Sequence, residues 1–173
     1  MKLLLAIAAL ATLAGCATPD LTHYKAATPV LDLPTYFNGT IDGWGMFQDR
    51  SGKVVRRFTV RIDAKWEGNR GTLDEHFVFD DGEKQNRVWT LVRDGDRFSG
   101  TAGDVVGTGS GVQQGNAFNM GYVLALPVDG RVWNVDMDDW MWTVDGATVL
   151  NRATMSKFGF RLGEVTLAFR KRP

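Results

Sequence analysis

From Arg57 to Trp66 the chain alternates without a break: Phe58, Val60, Ile62, Ala64 and Trp66 on one side, Arg57, Thr59, Arg61, Asp63 and Lys65 on the other. Successive side chains of an extended chain point to opposite faces, so the stretch predicts a strand with one buried and one wet face. The pattern recurs. Leu73, Glu75, Phe77 and Phe79 share a face, as do Phe118, Met120, Tyr122, Leu124 and Leu126. Turn signals separate the runs: Ser51-Gly52, Gly68-Asn69-Arg70-Gly71, and Asp-Gly pairs at 81, 94, 129 and 145. Asp-Gly between alternating runs marks a tight hairpin, because both residues tolerate positive φ.

No stretch keeps a helical period over three turns. Counting the runs gives about 8 to 10 short strands, spaced by roughly 8 to 12 residues, the signature of a sandwich or a barrel. Short successive connections favour a meander, and closing a meander removes its exposed edges. The expected fold is all-β, an antiparallel lipocalin-like up-and-down β-barrel of about 8 to 10 strands. An immunoglobulin-type sandwich would need longer Greek-key connections.

The first residues bear on the compartment. Lys2 precedes an uncharged apolar run from Leu3 to Leu13, too short for a permanent membrane-spanning helix and suited to a signal-peptide core. The run ends at Leu13-Ala14-Gly15-Cys16, which resembles the bacterial lipobox. The resemblance implies acylation of Cys16 after cleavage behind Gly15. Expected divisions are a signal peptide over 1–15, a lipidated cysteine and tether over 16–35, and a barrel domain over 36–173. With Ala17 where an inner-membrane retention signal has aspartate, the resemblance to sorted bacterial lipoproteins favours the periplasmic face of an outer membrane. Cys16 is the single cysteine, so neither a disulfide framework nor a thiol nucleophile is expected.

The 173 residues carry 20 Lys+Arg and 20 Asp+Glu. Loss of the first fifteen removes only Lys2, leaving a net charge of about minus one. Nothing in that balance points to nucleic acid or an anionic membrane face as a partner.

Several stretches together resemble one family, the bacterial lipoproteins of domain of unknown function 3833. They are YFNGTIDGWGMFQDRSGKVVRRF from Tyr36, GTLDEHFVFDDGE from Gly71, RVW from Arg87, GTAGDVVG from Gly100, GNAFN from Gly115, DDWMW from Asp138 and NRATMSKFGF from Asn151. The resemblance implies a lipocalin-type lipoprotein with a lipid-related envelope role, and it does not fix an activity.

The densest chemistry lies between Asp136 and Phe160. Asp138 and Asp139 precede Trp140, and Asn151, Arg152 and Lys157 return on the next strand. Neighbours alternate across a strand, so only one of the two aspartates faces inward. A buried carboxylate needs a partner, and Arg152 or Lys157 is the expected one. Glu75 interrupts an apolar face, and Arg87 on the following strand is placed to neutralise it. Asp104 and Asn116 lie among glycines and read as turn residues. Six tryptophans, with Met46, Met137, Met141 and Met155, offer an adaptable apolar lining. Of two histidines, His23 falls in the tether and His76 on the wet face, so no metal site or catalytic triad is expected.

The leading expectation is therefore a non-enzymatic carrier of a fatty acid or modified lipid, without a cofactor. Its ligand would meet Arg152, Lys157, Asp138, Asp139, Trp140, Glu75, Arg87 and Asn151. A structural envelope lipoprotein with a filled barrel and a small lipid-modifying barrel enzyme are the alternatives. A carrier needs an apolar cavity of some hundreds of Å³, a structural module needs none, and an enzyme adds a carboxyl of raised pKa.

Overall fold

The computed structural model describes residues 20–128 and 130–173. The expected signal peptide and Cys16 lie outside them. Ten strands follow in chain order: β1 (Gly39–Asp49), β2 (Val54–Glu67), β3 (Arg70–Phe79), β4 (Lys84–Asp94), β5 (Arg97–Thr101), β6 (Val105–Gln114), β7 (Ala117–Val128), β8 (Arg131–Thr143), β9 (Thr148–Lys157) and β10 (Phe160–Lys171). Each pairs antiparallel with its predecessor, and β10 closes on β1, so the sheet is a closed meander. This is the expected fold, with its strand number at the upper end of the expected range.

Alternation sets what lies inside. Phe58, Val60, Ile62 and Ala64 of β2 are buried while the intervening side chains face water. Glycines on the inner face admit rings from neighbouring strands. A Cβ built on Gly111 would stand 2.7 Å from the Phe118 ring, and one on Gly45 would strike Phe58 and come within 2.8 Å of Leu167. Such notches let bulky side chains fill a narrow lumen to interior density.

One end of the barrel is shut by the residues ahead of β1. Of residues 16–35, expected as a tether, those from Leu31 onward pack into the fold, while most of 20–30 stay exposed. Leu31 and Leu33 are among the most buried side chains, followed by Tyr36 and Phe37. A short helix, α1 (Leu33–Tyr36), starts at Asp32, whose carboxylate caps Thr35. The Leu31 N–H donates to the Gly115 carbonyl and the Leu33 N–H to Gln113 Oε1. Phe37 meets Phe169 edge to face at 5.9 Å. The stretch carries no period because it is a plug, placed by tertiary contacts rather than by its own propensity. Upstream, a 3₁₀ turn over Leu21–Tyr24 lies on the outside.

Candidate functional site

The inner face changes character towards the other end. Glu75 and Arg87 stand opposite one another across the β3–β4 pair, as expected, with Arg87 Nη1 3.8 Å from Glu75 Oε2. The rest of the Arg87 fork is taken by Asp104: Nε and Nη2 donate to the carboxylate at 2.9 and 2.7 Å. Arg87 thus joins a strand carboxyl to a loop carboxylate, a bidentate geometry that fixes the loop before β6.

Across the lumen, β8 turns Asp139 inward and Asp138 outward. Asp138 accepts from Asn119 Nδ2 at 2.7 Å on the outer side. Asp139 accepts from Asn151 Nδ2, which also donates to the Trp140 carbonyl at 2.9 Å, and from the Tyr122 hydroxyl at 3.4 Å. The partners of the inward aspartate are therefore neutral, which corrects the expected pairing with Arg152 or Lys157. Arg152 is exposed on the outer wall, its guanidinium 5.7 Å from the Trp142 ring centroid. Lys157 sits at the rim, where its Nζ donates to the Asn134 carbonyl at 2.6 Å and lies over Trp133 and Phe158. Trp140 also corrects the expectation of a lumen contact. It is buried, yet on the outside, covered by Tyr24 at 6.1 Å between ring centroids.

Burial dominates the electrostatics of this set. It pushes the Glu75 carboxyl up to about 7, with Arg87 opposing the rise and Asp139 and Asp104 adding to it. It pushes Asp139 up to about 6, against the hydrogen bonds from Asn151 and Tyr122 and the charge of Arg87. Burial and then Asp139 hold the Tyr122 hydroxyl well above its ordinary range. The lumen thus holds two carboxyls that exchange protons near neutrality, beside one fixed cation and one neutral phenol. Among the described residues no group of three His, Cys, Asp or Glu is arranged to hold a metal.

Above this set the β7–β10 side of the rim rises as a lip. Register puts Leu126, Trp133, Lys157 and Phe160 on its inner side, in line with Tyr122, Met137 and Met155 below. Trp133 and Phe160 are exposed there. Two concavities open on the outer surface: one of about 120 Å³ beside the plug, and one of about 560 Å³ between Val92, Ser99, Ser110 and Asn119.

Sequence reading missed Asp104 and Tyr122. Tyr122 carried a signal, a hydroxyl on the face shared by Met120 and Leu124. Asp104 carried none, since its role depends on a loop folding over Arg87.

Comparison with known proteins adds the family and the fold. The model of the family described as protein of unknown function (DUF3833) matches residues 10–171. No curated protein matches the chain. Among solved structures, the S-type phycobiliprotein lyase CPES from Guillardia theta is similar over 80% of this chain and 90% of its own, with a TM-score of 0.57 and 10% identity. A de novo designed fluorescence-activating β-barrel is similar over 82% of this chain and 99% of its own, with a TM-score of 0.46 and 12% identity. The likeness to the lyase is one of fold.

Proposed function

The chain belongs to the DUF3833 family of proteins of unknown function, and from that premise we propose that it is an envelope lipoprotein, anchored through Cys16 at the periplasmic face of an outer membrane, whose barrel binds a fatty acid or modified lipid. The observation that carries this reading is the pair of largely buried carboxyls, Glu75 and Asp139, facing one lumen with Arg87 and Tyr122. A barrel that serves only as a scaffold gains little from buried ionisable groups, which cost solvation wherever their pairing is incomplete.

The ligand's polar head goes to this set. A protonated Glu75 donates, and Arg87 exchanges part of its Asp104 contact for the head of the ligand. The acyl chain runs towards the lip over Met137, Met155, Leu126 and Trp133, whose flexible or flat side chains can yield. Its burial contributes roughly 0.8 kcal/mol per methylene before ordering costs. Lys157 stands at the lip as the first cation an incoming carboxylate meets.

A second reading, a solid barrel that docks an envelope partner, is favoured by the ring-filled glycine notches and by two concavities that both lie outside the lumen. Native mass spectrometry separates the two. The Cys16→Ser chain, made without residues 1–15 and purified without detergent, is expected to carry a discrete added mass that organic extraction identifies as a lipid. Replacing Arg87 with Met should remove that mass from the folded fraction. A clean apo mass that persists after incubation with envelope lipid extract would establish the solid barrel instead.

A further inference from the structure

The outer wall of β1, β10, β9 and β8 carries side chains that neither the core nor the lumen uses. Register aligns Trp44 with Ala168, Ala168 with Leu150, and Leu150 with Trp142. An apolar row therefore crosses four adjacent strands on the face where a solvated sheet places polar residues. Trp44 is 53% exposed and Leu150 47%. At the β8 end of the row Trp142 stacks on the buried Trp140 of the same strand at 5.7 Å, and Tyr24 lies against both rings. Two cations flank it, Arg152 over Trp142 and Arg170, which stands opposite Asp42 and Thr148, two residues along β10 from Ala168 of the row. Among the described residues neither forms a salt bridge, and Asp42, the acid in register with Arg170, is held by Arg172 at 2.7 Å.

We propose that this wall is a membrane-contact face. Trp44, Leu150 and Trp142 lie at the boundary between headgroups and acyl chains of a phospholipid bilayer, with Arg152 and Arg170 at the phosphates. Indole rings favour that boundary, having an apolar body and a polar edge, and guanidinium groups pair with phosphate oxygens. The path of the chain identifies the occupant. Tyr24 holds the first described residues beside the row, and only residues 17–19 separate Asp20 from Cys16. Four extended links reach about 14 Å, and the row from Trp142 to Trp44 spans three strand spacings, also about 14 Å. An acyl group on Cys16 therefore enters a bilayer close to this wall, and the orientation assigned here rests on the lipid-anchored reading.

The test compares two walls. Leu150→Cys and Val88→Cys are made separately in the full chain. Val88, on β4, is on the far side of the ten-strand closure and is also exposed. Each protein is reconstituted in vesicles of phosphatidylethanolamine and phosphatidylglycerol after labelling with an environment-sensitive thiol probe. An acylated Cys16 takes no label, so intact mass shows one probe per chain. Two probes would mean that Cys16 is free and the anchor reading has failed. The measurement then runs in the Cys16→Ser background, where the wall is tested alone. The expected result is a blue-shifted probe at 150, quenched by brominated lipid at least fivefold more strongly than the probe at 88. Trp44→Ser with Leu150→Ser should lower vesicle partitioning of the Cys16→Ser chain by roughly tenfold or more while leaving its circular dichroism unchanged. Equal quenching at the two positions would overturn the proposal. So would a probe at 150 shielded in vesicle-free solution by a second copy of the chain.

Discussion

The two halves of this lumen are built from the same ten strands and put to opposite uses. At the closed end the inner face is rings set against glycines, sealed by Leu31, Leu33 and Phe37. Towards the lip the same alternating positions of β3, β4, β7 and β8 carry Glu75, Arg87, Tyr122 and Asp139, while the β1–β3 wall stays aromatic to the rim through Phe47, Phe58, Phe77 and Phe79. The closed half gains stability by excluding water, whereas the lip half gives some of it up by excluding water from charge. A barrel can carry that burden because the other half supplies a core. Substitutions in the two halves should accordingly fail in different ways.

The largest effect belongs to the plug. Phe37 is almost fully buried and touches both Tyr36 and Phe169. Phe37→Ala should cost about 3 to 5 kcal/mol, as other buried phenylalanine truncations do, and the loss should be the same at pH 5 and pH 8. Chemical denaturation at the two pH values measures it. A cost below about 1 kcal/mol would show that the closed end is shut by something other than this ring.

Much of this division could be read from the sequence, and the missing part has a physical cause. The strands were legible because period two and Asp-Gly turns are local signals, which fixed the barrel and the inward position of Glu75. That only one of Asp138 and Asp139 faces inward was equally legible, but which one depends on cross-strand register. The same parity applies to Asn151 and Arg152. With Val149, Asn151, Ala153 and Met155 alternating inward, Arg152 has to face out, so a charge that looked like the natural partner of an aspartate stands on the other side of the sheet. The plug was illegible because four helical residues starting at Leu33-Pro34 have no period to detect.

The second effect sharpens the comparison through pH. A carboxyl raised by burial to about 7 from an ordinary value near 4.5 keeps its proton in the folded state after the unfolded chain has lost it. The folded state then binds more protons than the unfolded one, so stability falls as pH rises through that window and is fully present below it. Glu75 alone should make the protein about 2 to 3 kcal/mol less stable at pH 8 than at pH 4.5. Glu75→Gln should remove that contribution and leave the part due to Asp139, which burial raises from 3.8 to about 6 and which is lost at slightly lower pH. Denaturation midpoints taken across the range check it, and an unchanged slope in the variant would place the titrating group elsewhere.

The smallest effect separates the lumen from the wall. Arg152 stacks on Trp142 in water, an exposed cation–π contact worth about 0.5 to 1 kcal/mol. Arg152→Ala should therefore cost no more than that in stability and leave any lipid recovered from the lumen in place, because the guanidinium has no route through the sheet to the head of the ligand. Arg87→Met is expected to do the reverse in binding, removing the ligand's fixed cation while keeping the outer wall intact. The paired measurement is extracted lipid per folded protein for both variants. Loss of ligand in the Arg152 variant would mean that the ligand lies outside the barrel, and the charged half of the lumen would then need another explanation.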